Sequence, residues 1–343
     1  METSLDFDQQ RLVDYLTQQV SGFAGPANFR KFSVGQSNPT YLVETPDKNY
    51  VLRRKPTGPI LKSAHAVDRE FRVMSALQNT AVPVPTMYHL CEDDDIIGSS
   101  FYLMSFVEGR SLVSPALDEI PKEQRRDYFD AVLKTMAAIH SVDLQSAGLA
   151  DFGRTGNYFE RQFNLWSKQY RASETQLIPS METLMVWLAD NIPEDDGRLC
   201  LIHGDYKFDN VMFDKNSADV VAVMDWELST LGHPFGDLGY FLMQARLPNT
   251  GVSFGIGDID REAHGIPSEE ECIATYCRHA GIEPPKSSSF YLIFNLFRFA
   301  AILQGIARRH LDGNASQANA KEIGELTVPI ADMAVSLLEE MPA

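Results

Sequence analysis

Leu201-Ile202-His203-Gly204-Asp205-Tyr206-Lys207-Phe208-Asp209-Asn210, followed by Val220-Val221-Ala222-Val223-Met224-Asp225-Trp226-Glu227, governs the reading of this chain. It sets a carboxylate at 205, a carboxamide at 210 and a second carboxylate at 225, with short apolar runs beside them. Phosphoryl transfer needs a base for the acceptor's proton and hard oxygen ligands for Mg²⁺ on the nucleotide. Asp205 suits the first role, as general base or orienter of an acceptor hydroxyl. Asn210 and Asp225 suit the second, one through a neutral amide oxygen and one through an anionic oxygen. Each of these residues alone reads equally as a turn or cap residue; three positions that meet one mechanism favour chemistry. Strands at 211–213 and 220–224, paired as a hairpin, would bring Asn210 and Asp225 together.

Bulk properties narrow the function classes. The chain has 343 residues, 44% hydrophobic and 22% charged, enough to bury a substantial core. Its net charge of −17 argues against nucleic acid as a partner. Cys91, Cys200, Cys272 and Cys277 form no CxxC pair, so a reduced, cytoplasmic setting without zinc is expected. The opening METSLDFDQQ lacks the basic and apolar regions of a signal peptide. Residues 290–306 are apolar but interrupted by Asn295, Arg298 and Gln304, which predicts a buried helix and no membrane partner.

Periodicity divides the chain into two halves. A helix over 8–20 is followed by alternating runs at 29–34, 40–44 and 50–54, a helix over 64–79, and strands at 86–91 and 100–106. From 121 onward the pattern is helical, with helices expected near 128–140, 158–171, 180–191, 268–280, 288–310 and 318–340. Strong β signals return only at 199–202, 211–213 and 220–224, around the opening motif. Residues 248–267 read as a Gly-rich surface loop or a substrate-facing insertion. The expectation is an α+β, two-lobed enzyme: a small mostly-β N-terminal nucleotide-binding lobe over 1–107 and a large helical catalytic lobe over 108–343.

His203-Gly204-Asp205 and Met224-Asp225-Trp226-Glu227 resemble the catalytic loop and second metal motif of the aminoglycoside phosphotransferase and choline kinase branch of the protein-kinase-like fold. Tyr50-Val51-Leu52-Arg53-Arg54-Lys55-Pro56, residues 64–74 and Leu231-Gly232-His233-Pro234-Phe235-Gly236-Asp237 are more closely similar to kinase-like domains associated with acyl-CoA dehydrogenases. The resemblance covers about 32–338. It implies a phosphate-anchoring cation on the third strand, paired with a helix Glu that maps to Glu70. The cation falls on Arg53, with Lys55 as fallback; a basic surface strand is the plain alternative. It also implies a phosphate-covering turn at Gly35 and Ser37, and a hinge at Ser105 and Val107 whose backbone meets adenine. Lys207 would neutralise the transferring phosphoryl group, or else be an ordinary exposed lysine. His203 would support the loop, and Asp237 would hold it from a helix start or act as a cap.

Gly204 in place of the protein-kinase Arg, and Asp225-Trp226 in place of Asp-Phe, point to a small-molecule acceptor. The implied enzyme is an ATP- and Mg²⁺-dependent phosphotransferase acting on an alcohol group. Aminoglycosides would need carboxylates, for which Asp258, Asp260, Glu262, Glu269, Glu270 and Glu271 are candidates, although a solvated helix start accounts for these charges. The closer resemblance implies instead a hydroxyacyl group as its CoA thioester, with an acyl-CoA dehydrogenase as partner. A non-catalytic kinase-like module docking such a partner is the competing class. ATP and GTP are not distinguished, nor is the metal count.

Overall fold

Apolar alternation between 28 and 54 yields strands because successive side chains leave opposite faces of an extended backbone. In the computed structural model, which describes residues 5–32, 38–56, 66–249, 255–315 and 319–341, these are β1 (Asn28–Lys31), β2 (Thr40–Glu44) and β3 (Asn49–Arg54). With β4 (Met87–Cys91) and β5 (Phe101–Ser105) they form an antiparallel sheet of order β1-β2-β3-β5-β4. Five shorter strands follow: β6 (Arg110–Ser111), β7 (Cys200–Ile202), β8 (Val211–Phe213), β9 (Val220–Val223) and β10 (Thr230–Gly232). The described residues fall into two compact units, one drawn from Met1–Ser111, Gln145–Leu149 and Asn210–Ser229, the other from Leu112–Leu144, Ala150–Asp209 and Thr230–Ala343.

In the first unit, one sheet face presents Phe29, Tyr41, Val43, Tyr50, Leu52, Phe101 and Leu103 to Leu12 and Leu16 of α1 (Gln9–Gln19). Asp8 caps that helix by accepting from Arg11 N. The opposite face packs on α2 (Val67–Leu77), where the Phe71 and Tyr102 rings lie 6.2 Å apart. Alternation therefore sends neighbours on β3 to opposite environments. Arg54, on the α1 side, is wholly buried, held 3.2 Å from Asp6 Oδ1 and 3.1 Å from Ser99 Oγ, with its guanidinium over the Phe7 ring. Strands β6, β8 and β9 form a second small sheet. Val211 pairs with Val223, and Met224 N donates to Asn210 O at 2.8 Å, so Asn210 and Asp225 flank the same end of the β8–β9 hairpin.

The second unit is helical: α3 (Arg125–His140), α4 (Tyr158–Ser173), α5 (Pro179–Asn191), α6 (Phe235–Arg246), α7 (Glu269–Ala280), α8 (Ser289–Leu311), α9 (Ala320–Glu325) and α10 (Thr327–Glu339), with β7 and β10 as an antiparallel pair. Helix α8 is long and apolar enough to cross a membrane by length and composition, yet 67% of its apolar window is buried against the rest of the unit. The residues that interrupt its apolar pattern are buried as well. Asn295 donates to Gly236 O of α6 and to Tyr291 O within α8, Arg298 to Gly204 O, and Gln304 to Ser173 O and Thr175 Oγ1. Buried polar side chains need partners, and here they tie α8 to its surroundings.

Three features depart from the expected pattern. The helix expected over 318–340 is two, α9 and α10, because the chain is interrupted at Leu326 and Thr327 Oγ1 donates back to Gly324 O. Helix α6 has no amphipathic signature because almost every residue from Phe235 to Ala245 is buried. Strand β10, unexpected from the sequence, pairs antiparallel with β7.

Candidate active site

The first unit assembles a charged cluster around Arg53. Its side chain leaves β3 on the α2 face, where Nε lies 2.9 Å from Glu70 Oε2 and Nη2 lies 2.8 Å from Asp225 Oδ1. Glu70 is buried, and it also accepts from Asn38 Nδ2 and Tyr102 Oη, each at 2.9 Å. Lys55 instead lies 3.7 Å from Asp68 Oδ1, with a third of its side chain exposed. Burial opposes the Arg53 charge, but Glu70 foremost, then Tyr102, Asp225 and Glu227, keep the guanidinium firmly protonated. Burial pushes the Glu70 carboxyl up to about 7, opposed by Arg53 and reinforced by Asp225.

Asp225 follows β9 with φ 62° and ψ 61°, a left-handed backbone that costs a non-glycine residue roughly 1–2 kcal/mol. Trp226, fully buried with Nε1 donating to Val223 O at 2.9 Å, fixes the turn that imposes this conformation. Such strain concentrates at functional positions. One carboxylate oxygen each from Glu70, Asp225 and Glu227 lies within 4.8 Å of the others, a set of hard donors suited to Mg²⁺. Glu70 is already engaged by two hydrogen-bond donors and the Arg53 ion pair, which leaves Asp225 and Glu227, with Asn210 at the same hairpin end, as the residues that would hold the ion. Arg53 occupies Oδ1 of Asp225, and a carboxylate has a second oxygen with which to meet an ion.

Gly35 and Ser37 lie outside the described residues. Ser105 remains within the sheet: its N–H goes to Thr86 O at 2.8 Å, and its hydroxyl accepts from Thr86 N at 2.9 Å. The Val107 backbone makes no hydrogen bond among the described residues, so it has a donor and an acceptor to offer an adenine edge.

The second unit builds the loop after β7. Gly204 has φ +85°, a conformation that favours glycine. Asp237, near the start of α6, accepts from His203 N at 2.6 Å and Gly204 N at 2.8 Å, and lies 3.2 Å from His140 Nε2. His140 Nδ1 is in turn 2.7 Å from Tyr276 Oη. Burial presses the Asp237 carboxyl upward, but His140, His203 and the loop N–H groups outweigh it and hold it below the ordinary carboxylate range. Arg298 Nη2 donates to Gly204 O at 2.8 Å, while the fully buried His203 accepts from Asp205 N through Nδ1. His203 thus supports the backbone, and His140 belongs to the clamp on it.

This clamp presents Asp205, whose Oδ1 accepts from Tyr240 Oη at 2.6 Å and whose Oδ2 is 3.6 Å from Lys207 Nζ. Lys207 is also 3.2 Å from Asp209 Oδ2; burial raises the Asp209 carboxyl, with Lys207 opposing. Beside these groups is a cavity of about 200 Å³, walled by Phe129, Phe208, Phe241, Leu247 and Phe299, with Lys207, Asp209, Tyr240 and Gln244 as its polar lining. The acidic residues near 258–271 serve local structure instead. Glu269 pairs with Arg246 and Arg261, Glu271 caps α7 and pairs with Arg126, and Asp260 accepts from Ala263 N. Among the described residues, none of that acidic group lines the cavity.

A family model described as the phosphotransferase enzyme family matches residues 28–275. The chain belongs to that family. It is 45% identical over 328 residues to acyl-CoA dehydrogenase family member 10 of Mus musculus, covering 93% of this chain and 31% of that protein. This phosphotransferase-family chain therefore spans about a third of that relative's length. A crystal structure from Ralstonia eutropha JMP134, provisionally named an aminoglycoside phosphotransferase, matches with a TM-score of 0.90 at 44% identity, over 98% of this chain and 100% of that one. Aminoglycoside phosphotransferase APH(4)-Ia, solved as a thermostable mutant with AMP-PNP and hygromycin B, has a TM-score of 0.62 at 16% identity over 96% and 97% of the two chains, which shows a shared fold. The kinase-like α+β fold and the family resemblance expected from the motifs are both present.

Within the phosphotransferase family chain, Arg53, Glu70 and Asp225 meet in the first unit, and Asp205 and Lys207 meet in the second. Reading the sequence missed Tyr240, Gln244, Asp209 and Arg298. Asp237, Tyr240 and Gln244 stand at i, i+3 and i+7 and share a helix face. That spacing, counted on from the helix start expected at Asp237, is the signal that would have found Tyr240 and Gln244.

Proposed function

We propose that this chain is an ATP- and Mg²⁺-dependent kinase that phosphorylates a hydroxyl on an acyl group carried as a CoA thioester. Arg53, held by Glu70, anchors the nucleotide phosphates. Asn210 and Asp225, with Glu227 alongside, hold Mg²⁺, which supplies charge neutralisation on the phosphates. Val107 offers backbone groups to adenine, and Gly35 and Ser37 are the residues the resemblance assigns to the phosphates. Asp205 orients the acceptor hydroxyl and takes its proton, and Lys207 offsets charge on the transferring group. Rate enhancement comes from positioning and electrostatics.

The observation that carries the choice of acceptor is the cavity lined by Tyr240 and Lys207, the two side chains that meet Asp205. Its walls are mainly aromatic and aliphatic, which suits a hydrocarbon chain; a polycationic aminoglycoside would call for several carboxylates. The relative named an acyl-CoA dehydrogenase family member supports a partner of that kind, because phosphorylation turns a hydroxyl into a better leaving group for later elimination.

The test is incubation with MgATP and a panel of hydroxyacyl-CoAs of graded chain length, the matching free hydroxy acids and aminoglycosides, reading ADP and the mass of the product. Phosphorylated acyl-CoA is expected, with turnover abolished by Asp205→Asn while ATP binding persists. Turnover of aminoglycosides alone would overturn the acceptor assignment. ATP binding without ADP formation from any acceptor would favour a non-catalytic module.

A further inference from the structure

We infer that Tyr240 is a positioning residue that decides which oxygen of Asp205 receives the acceptor's proton; this rests on the phosphotransferase reading above. An ionised carboxylate can only accept, so the 2.6 Å contact is a Tyr240 O–H donating to Asp205 Oδ1. The phenol oxygen accepts in turn from Gln244 Nε2 at 2.9 Å. With its lone-pair side engaged by that amide, the phenol proton is aimed at Asp205. Burial, and then the Asp205 charge, hold the Tyr240 phenol well above its ordinary range, so it remains a donor throughout.

The ring is fixed as firmly as its hydroxyl. Arg298 stacks over the Tyr240 ring at 5.3 Å and over Trp166 at 5.6 Å, while its Nη2 holds Gly204 O, the carbonyl next to Asp205 in the chain. Ring and catalytic loop are thus registered to one another through one buried guanidinium. An unconstrained carboxylate turns about Cβ–Cγ and offers either oxygen; here Oδ1 is committed to Tyr240. The proton goes to Oδ2, the oxygen that lies 3.6 Å from the Lys207 ammonium.

The transfer balances on that assignment. The acceptor O–H proton passes to Asp205 Oδ2 as the acceptor oxygen bonds to the γ-phosphorus. The bond from that phosphorus to the bridging oxygen breaks, and its electron pair leaves with ADP. The Tyr240 proton stays on Tyr240. Because the donor is in place before reaction, no reorganisation is needed during the step.

Tyr240→Phe keeps the ring and its stack with Arg298 and removes only the hydroxyl. With the hydroxyacyl-CoA that the wild type turns over best, kcat is expected to fall about tenfold to a hundredfold, the scale of one oriented hydrogen bond to a charged group. KM for ATP should stay as in the wild type, so that the loss appears in kcat alone. Gln244→Leu should give a smaller effect in the same direction. With no acceptor present, the wild type should show a downfield ¹H NMR resonance of the Tyr240 hydroxyl proton, held in its hydrogen bond to Asp205, that is absent from Tyr240→Phe. A kcat equal to wild type, or no such resonance in the wild type, would overturn the role of Tyr240. Absence of ADP from the wild type with every acceptor sinks the phosphotransferase reading instead, and the hydroxyl resonance still decides the Tyr240–Asp205 coupling.

Discussion

Arg53 and Arg54 are adjacent, carry the same charge and do opposite things. Arg54 is fully buried on the α1 side and bonds Asp6 and Ser99, while Arg53 turns to the α2 side and bridges Glu70 and Asp225. The planar fork makes the bridge possible, since a guanidinium presents separate N–H groups to two carboxylates where an ammonium is a point charge. Glu70 carries a pH signature. Its carboxyl titrates at about 7 in the folded chain, so between the ordinary carboxylate range and that value the folded state keeps a proton the unfolded chain has released. The stabilisation this proton linkage gives is complete below the ordinary range and lost as pH rises through about 7. Urea unfolding midpoints should fall across this interval for the wild type, and Glu70→Gln should flatten the slope. Equal slopes in the two proteins would show that Glu70 does not titrate there.

At the scale of elements, α6 concentrates positioning groups: Asp237 clamps the loop, Tyr240 meets Asp205 and Gln244 backs Tyr240. Its burial leaves little room along its length. A Cβ at Gly239 would stand 2.7 Å from Asn295 Nδ2 and 2.9 Å from the Tyr291 carbonyl oxygen on α8. Alanine favours helix over glycine by about 1 kcal/mol, but overpacking against backbone costs about 1–3 kcal/mol. Gly239→Ala should therefore be net destabilising by up to about 2 kcal/mol in urea unfolding, with α6 pushed off α8. A stabilised variant would show that α8 yields at Tyr291.

For the whole molecule, the ligation scheme has a calorimetric consequence. A nucleotide that binds only the folded chain should stabilise it by about 2.7 kcal/mol at a hundredfold excess over Kd, seen as a raised melting temperature with AMP-PNP. Mg²⁺ should enlarge that shift in the wild type. Asp225→Asn should lose the Mg²⁺-dependent part, since the amide is a weaker ligand for a hard cation. A full Mg²⁺ effect in that variant would place the ion elsewhere.

The sequence by itself determined the strand and helix order, the α+β class, and the Asp205, Asn210 and Asp225 motifs. These depend on periodicity and turn chemistry within short windows and on two short motifs, at 203–210 and 224–227, which the chain carries locally. Only the tertiary structure showed that Arg53 pairs with Glu70 and Lys55 with Asp68, because alternation places both cations on one face and the pairing depends on where Glu70 and Asp68 stand on α2. It likewise split 318–340 into α9 and α10, gave the extent of the helix whose start was expected at Asp237, and joined Asn210–Ser229 to the first unit. A helix buried on all sides leaves no periodic trace. The 2.6 Å contact of Tyr240 with Asp205 spans 35 positions of sequence, and only long-range packing can bring two such residues together. The spacing of the 201–227 stretch carries the chemistry; the cavity that suggests the acceptor comes from side chains on separate helices.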